Sequence, residues 1–153
     1  MASGTDPRTR ELLRLIHQTV FMFDRAADHQ LRERSLGTFP QFLIMTAIDR
    51  FPGLTQQKIA AFLHVTPAAV SRMLDTLVEA GYVSRTDKLG SRRAHAVALT
   101  AAGRRRFERM DALVSSQAAI VTATVPRAEL EATLRTLHAL HETVAEACVP
   151  HHG

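Results

Sequence analysis

The stretch LTQQKIAAFLHVTPAAVSRMLDTLVEAGYVSR, Leu54 to Arg85, reads as a short helix, a tight turn, a second capped helix and the start of a strand. Thr55 stands where an N-cap belongs, and its hydroxyl can take one of the free N–H groups of the first turn. Ile59, Ala60, Phe62 and Leu63 are expected to face inward, with Ala60 small enough to let the next helix cross closely. His64 and Val65 make the turn, and position 64 calls for a left-handed backbone, which His tolerates better than most non-glycine residues. The alternative role for His64, a metal ligand, has less to support it. Thr66 then caps the second helix, and Pro67 suits its first position because it has no N–H to leave unpaired. Val70, Leu74, Leu77 and Val78 follow at helical spacing and face the core, and Gly81 ends the helix in a left-handed conformation.

The residues left outside point to a ligand. Ala68, Ala69, Ser71, Arg72, Asp75 and Thr76 form the outer face of the second helix. A helix–turn–helix pushes such a face into the major groove of duplex DNA. Arg72 is the best candidate for a base-edge contact, because a guanidinium grips guanine O6 and N7 together. Its alternative is an intramolecular ion pair with Asp75 or a neighbour. Short Ala68 and Ala69 let the helix lie deep, and Ser71 or Thr66 can hold phosphate. At the first helix, Thr55, Gln56, Gln57 and Lys58 surround an N-terminus suited to phosphate, although a capped surface helix explains Thr55 alone.

Basic residues follow at once. Tyr82, Val83 and Arg85 begin a strand, and His95, Val97 and Leu99 share one face of a returning strand, with Ala94, Ala96 and Ala98 on the other. Between them lies a loop containing Lys88, Gly90, Ser91, Arg92 and Arg93. Arginine on a narrow hairpin tip can enter the minor groove, where the negative potential is strongest over narrow A·T-rich segments. The charge distribution agrees. The chain has 153 residues and a net charge of +4, and its basic charge is almost all arginine. Residues 54–109 hold ten Lys or Arg and four Asp or Glu (+6); the remainder holds nine and eleven (−2). Basic charge concentrated on the central third fits a polyanion-binding face.

Other classes are poorly represented. There is no G-x-S-x-G, P-loop, H-E-x-x-H or cysteine pair, so nothing points to an enzyme or to a cofactor. No run approaches the length of a membrane span, and MASGTDPRTRELLRL lacks the apolar core of a signal peptide. A single cysteine, Cys148, precludes an internal disulfide and fits the cytoplasm.

Helices are expected on both sides of the central stretch. From about Pro7 to Arg34, Leu12, Ile16, Val20, Phe23, Ala27 and Leu31 mark one stripe, widened by Phe21 and Met22. Gly37 ends that zone. A second helix over Phe39 to Phe51 is capped by Thr38, carries Phe42, Met45, Ala47 and Ile48 inside, and stops at Pro52 and Gly53. Thr100 caps a long helix with Phe107, Met110, Leu113 or Val114, Ala118 and Val121 in its stripe. Pro126 starts a last one, in which Leu130, Leu134, Leu137, His141, Val144 and Cys148 repeat at four and three, a short heptad-like seam. These ends are richly apolar for a chain of this size. Either they form an intramolecular bundle or they pair with a second copy.

Three elements in order, LTQQKIAAFL, VTPAAVSRMLDTLVEAGYVSR and RRAHAVALTAAG, resemble the MarR family of bacterial winged-helix transcription regulators. The match runs from about Phe39 to Phe107, and the helical ends agree in layout only. The resemblance implies a mainly α fold with a small β-hairpin wing. Its winged helix-turn-helix DNA-binding domain would be residues 38–100, between an N-terminal dimerisation helix at 1–37 and C-terminal dimerisation helices at 101–153. It implies a homodimer on a palindromic double-stranded operator, most often as a ligand-responsive repressor. Thr66, Pro67, Ala68, Ser71 and Arg72 fall at the start of the recognition helix, and Arg92 and Arg93 at the wing tip. Two positions depart from the family. Ser91 stands where the wing usually has an aspartate that orients its arginine, and His64 stands where the turn usually has glycine.

The same resemblance implies a small aromatic or lipophilic effector between the dimer helices and the reading head. His17, Met22, Phe39, Phe42 and Met45 are the residues expected to line that cleft; ordinary core packing is the alternative for each. Cys148 as a redox sensor and His138 with His141, Glu142, His151 and His152 as a metal site are weaker readings, since Cys148 and His141 occupy seam positions. A winged-helix module that binds protein in place of DNA is the remaining alternative, which Ser71, Arg72 and the basic loop oppose.

Overall fold

The computed structural model describes residues 6–87 and 95–148. In chain order these form α1 (Pro7–Glu33), α2 (Phe39–Arg50), α3 (Gln56–Phe62), α4 (Pro67–Glu79), β1 (Val83–Asp87), β2 (His95–Leu99), α5 (Ala101–Thr122) and α6 (Arg127–Cys148). The chain divides into two compact units, Met1–Val114 and Ser115–Gly153.

Helix starts follow the capping chemistry. Asp6 accepts from the Arg8 N–H ahead of Pro7. Thr38 and Gln41 form a reciprocal capping box, in which the Thr38 hydroxyl accepts from the Gln41 N–H (3.3 Å) and the Gln41 side chain accepts from the Thr38 N–H (3.0 Å). Thr55 caps α3 and Thr66 caps α4 in the expected way, accepting from Lys58 and Ala69 respectively. His64 adopts φ 53° and Gly81 φ 74°, the two left-handed positions the sequence called for.

The first unit is built round one apolar core. Leu31, Ile44, Met45, Ile59, Val70, Leu74, Leu77, Val97 and Met110 are fully buried, so α1, α2, α3, α4, β2 and α5 all contribute. The Phe42 ring lies 5.8 Å from Phe39 and 5.9 Å from Phe107, joining α2 to α5. The hairpin pairs Val83 with Leu99 and Arg85 with Val97 in antiparallel register. Its root is sewn to the segment before α3, since the Val97 N–H donates to the Leu54 carbonyl (3.1 Å) and Thr55 bridges to Ala96. At Gly103 a Cβ would lie 1.9 Å from the Tyr82 carbonyl oxygen, so only glycine lets α5 start this close to the hairpin.

Several expectations need correction. Phe62 is 45% exposed and does not face inward. On the seven-residue α3 the inner arc is filled by Ile59, Ala60 and the half-buried Leu63, and Phe62 instead packs edge-on against the Phe51 ring at 5.2 Å. The α1 stripe is buried only at Ala27 and Leu31; Leu12, Val20, Phe21 and Met22 are exposed in the single chain. The α5 stripe fails at Val121, which is exposed.

The second unit comprises the end of α5 and α6. No residue of α6 is buried among those described, and Leu134, Leu137 and Val144 lie open. Arg127 pairs with Glu131 on its surface (3.0 Å). No described helix is long and apolar enough to cross a membrane.

Candidate nucleic-acid interface

The two helix starts named from sequence lie side by side. The Gln56 side-chain amide donates to the Pro67 carbonyl (3.3 Å), which ties the first residue of α3 to the first residue of α4. Thr55, Gln56 and Gln57 therefore share a surface with Thr66, Pro67, Ala68 and Ala69. Gln57, Thr66, Pro67 and Ala68 are exposed; Thr55, Gln56 and Ala69 are half-buried. Both N-termini end in N–H groups and carry the positive end of a helix dipole, the local electrostatics that favour a phosphate.

On α4 the inner positions Val70, Leu74 and Leu77 are closed in the core, which turns Arg72 to solvent. Ser71 is half-buried beside it. Among the described residues, neither Asp75 nor another neighbour forms the ion pair expected as an alternative for Arg72. Asp75 is taken by Arg85, whose Nη2 donates to its Oδ1 at 2.7 Å. Arg72 has no ion pair among the described residues. The Arg85–Asp75 bridge also braces β1 against α4. Its two members are ten residues apart across a turn, a spacing that no helical or strand period brings together, and sequence reasoning missed it. Arg104 to Asp49 (2.7 Å) is a second brace of this kind, between α5 and α2.

Lys88, Arg92 and Arg93 lie outside the described residues, as does Ser91. The described strands on either side, β1 and β2, are tied to the segment before α3 and packed against the start of α5.

The residues expected to line an effector cleft do not converge. Phe42 and Met45 are enclosed in the core, while His17 is exposed and Met22 is 69% exposed. Only Phe39 reaches an open groove of about 520 Å³ between α1 and α2, lined also by Phe21, Asp24, Arg25, His29 and Leu43. Burial there raises the Asp24 pKa above the ordinary aspartate value. Asp28, at the groove edge, is held below it chiefly by the Arg32 side chain; burial opposes this as the next largest cause, and the Phe39 N–H adds a smaller lowering. That N–H donates to Asp28 Oδ1 at 2.8 Å, so Asp28 fastens the start of α2 to α1. Pattern reading picked the apolar members of this region because they repeat. It missed the charged ones, which on α1 look like a solvated face.

No group of three or more His, Cys, Asp or Glu stands together as metal ligands among the described residues. His138, His141 and Glu142 are exposed on α6, whereas His151, His152 and the Cys148 side chain lie outside what is described.

The model of the MarR family matches residues 38–95. The chain is 35% identical over 86 residues to the "HTH-type transcriptional repressor Rv2887" of Mycobacterium tuberculosis, an overlap of 56% of this chain. It spans 62% of the length of that repressor. Among solved structures, wild-type MarR of E. coli in its apo form superimposes with a TM-score of 0.70 at 29% identity, over 87% of this chain and 96% of that one. The S. aureus MepR–DNA complex gives a TM-score of 0.76 at 20% identity, over 85% and 96%.

Proposed function

We propose that this chain, whose residues 38–95 match the MarR family model, is a sequence-specific, double-stranded DNA-binding repressor of that family acting as a homodimer. The observation that carries this reading is the paired start of α3 and α4, joined through Gln56 and Pro67, beside an Arg72 that no described acid neutralises. In this reading α4 enters the major groove with Ala68 and Arg72 toward base edges. Thr55, Gln56, Gln57, Thr66, Pro67, Ala69 and Ser71 face the flanking phosphates or the groove wall. Lys88, Arg92 and Arg93 reach the neighbouring minor groove.

The dimer is proposed from the apolar side chains that one chain leaves in water: Leu12, Leu13, Leu15, Val20 and Phe21 on α1, and Leu134, Leu137 and Val144 on α6. A two-fold pair of reading heads calls for a palindromic operator with half-sites about one helical turn apart. Repression follows from similarity to the mycobacterial transcriptional repressor, and occlusion of a promoter needs no further domain.

Release by a small aromatic or lipophilic effector completes the proposal. The groove at Phe21, Asp24, Arg25, His29 and Phe39 supports it, offering aromatic walls and a cation in one place. The test is selection of bound fragments from the source genome with the purified protein, followed by titration of the recovered operator complex with aromatic acids. Recovery of a two-fold symmetric motif, bound with a steep salt dependence, supports DNA recognition. Recovery of unrelated fragments at low salt would end it. Failure of every acid to release the operator would remove the effector and leave the DNA-binding reading in place.

A further inference from the structure

One half-buried arginine ties the elbow between α1 and α2 to the root of the hairpin. Arg106 Nη1 donates to the Tyr82 hydroxyl (3.0 Å), and Nη2 donates to the Ser35 carbonyl (3.3 Å). The guanidinium carbon sits 4.4 Å from the Tyr82 ring centroid. Both ends of this strap are special. Ser35 holds φ 54°, a left-handed conformation costly for any residue with a side chain. Tyr82 follows Gly81 directly, between α4 and β1.

Tyr82 is also gripped on every backbone side. Its N–H donates to the Leu77 carbonyl (2.9 Å), and its carbonyl accepts from the Thr100 N–H (3.0 Å). The Thr100 hydroxyl donates to the Gly81 carbonyl (2.7 Å), and Gly103 presses α5 against the Tyr82 backbone. Arg106 lies three residues beyond Gly103, on the same face of α5. The joint between the recognition helix and the wing is thus fixed to α5, and through Arg106 to the elbow at Ser35.

We infer that Arg106 is a positioning residue for the DNA-reading face, holding the α1–α2 elbow and the wing root as one piece without touching nucleic acid. The inference rests on the DNA-binding reading above. A planar guanidinium can stack on a ring and donate in two directions at once. A lysine ammonium has no such fork, so charge by itself does not reproduce the strap.

The test uses the full chain, a duplex selected from random sequence by the wild-type protein, and a scrambled duplex of equal length. Arg106→Ala is expected to weaken binding to the selected duplex about tenfold, the scale of one lost charge-assisted hydrogen bond. It should spare the scrambled duplex and leave the slope of log affinity against log salt unchanged. Arg106→Lys should resemble Arg106→Ala. In the free protein, hydrogen exchange should quicken at two amides, Leu36 and Thr100, in both variants. A salt slope reduced by about one would make Arg106 a phosphate ligand and overturn the inference. So would full rescue by Lys, or faster exchange at only one of the two amides. If the wild type selects no duplex, the DNA-binding reading fails and takes the positioning role with it. The exchange data then decide separately whether the strap itself exists.

Discussion

The middle and the ends of this chain use the same kind of apolar stripe to opposite effect. In α4, Val70, Leu74 and Leu77 are spaced as a buried face and are buried. In α6, Leu134 and Leu137 are spaced as well, and neither is buried. The α1 helix contains both behaviours in one element: Ala27 and Leu31 join the core, while Leu12, Leu13, Leu15 and Val20 do not. Periodicity shows which face of a helix seeks a partner. It does not show whether that partner belongs to the same chain.

The sharpest way to break this contrast is at α6. If a second copy covers these leucines, Leu134→Glu with Leu137→Glu should dissociate the pair. Four leucines at about 1.5–3 kcal/mol each set the scale in a two-fold interface. Sedimentation should show the mass halve while circular dichroism retains the helical signal. An unchanged mass would mean that these side chains stay in water. In the core, Leu74→Ala should cost about 2–5 kcal/mol in urea unfolding, because it leaves a cavity with little room to collapse. A loss under about 1 kcal/mol would show that the core is not close-packed there.

Arg72→Ala should leave stability untouched and weaken binding to the selected operator by about 1–3 kcal/mol, as expected for a bidentate base contact. Equal loss on operator and random duplex would reassign it to phosphate. The smallest effect concerns Asp28. Its folded-state pKa lies below the unfolded one, so its contribution is present above about pH 4 and fades as pH falls through the folded value. Asp28→Asn should therefore lower stability at pH 7 by at most about 1 kcal/mol, the exposed pair with Arg32 contributing little. The gap between variant and wild type should narrow as pH falls below about 4, the ordinary aspartate range.

Much of the helix–turn–helix was legible because local chemistry dictates it. Thr66 and Pro67 specify a helix start, Gly81 a stop, and His64 a turn, each through interactions within a few residues. The braces were not legible. Arg85 with Asp75, Arg104 with Asp49, and Arg106 with Tyr82 and Ser35 join residues whose separation along the chain follows no period. Phe62 was misjudged for a related reason. A seven-residue helix offers too few positions to fix an arc, and Phe62 packs against the Phe51 ring outside the core.

The order of elements, their caps, and the outward face of Pro67–Glu79 were determined by the sequence alone, because capping and helical spacing act over a few residues. Only the tertiary structure decided that Asp75 pairs with Arg85 and not with Arg72. It also decided that the expected effector residues divide between core and solvent, and that α1 is buried at one end only. Those outcomes depend on which surfaces meet, and packing in three dimensions chooses among many pairings that the order of residues permits equally.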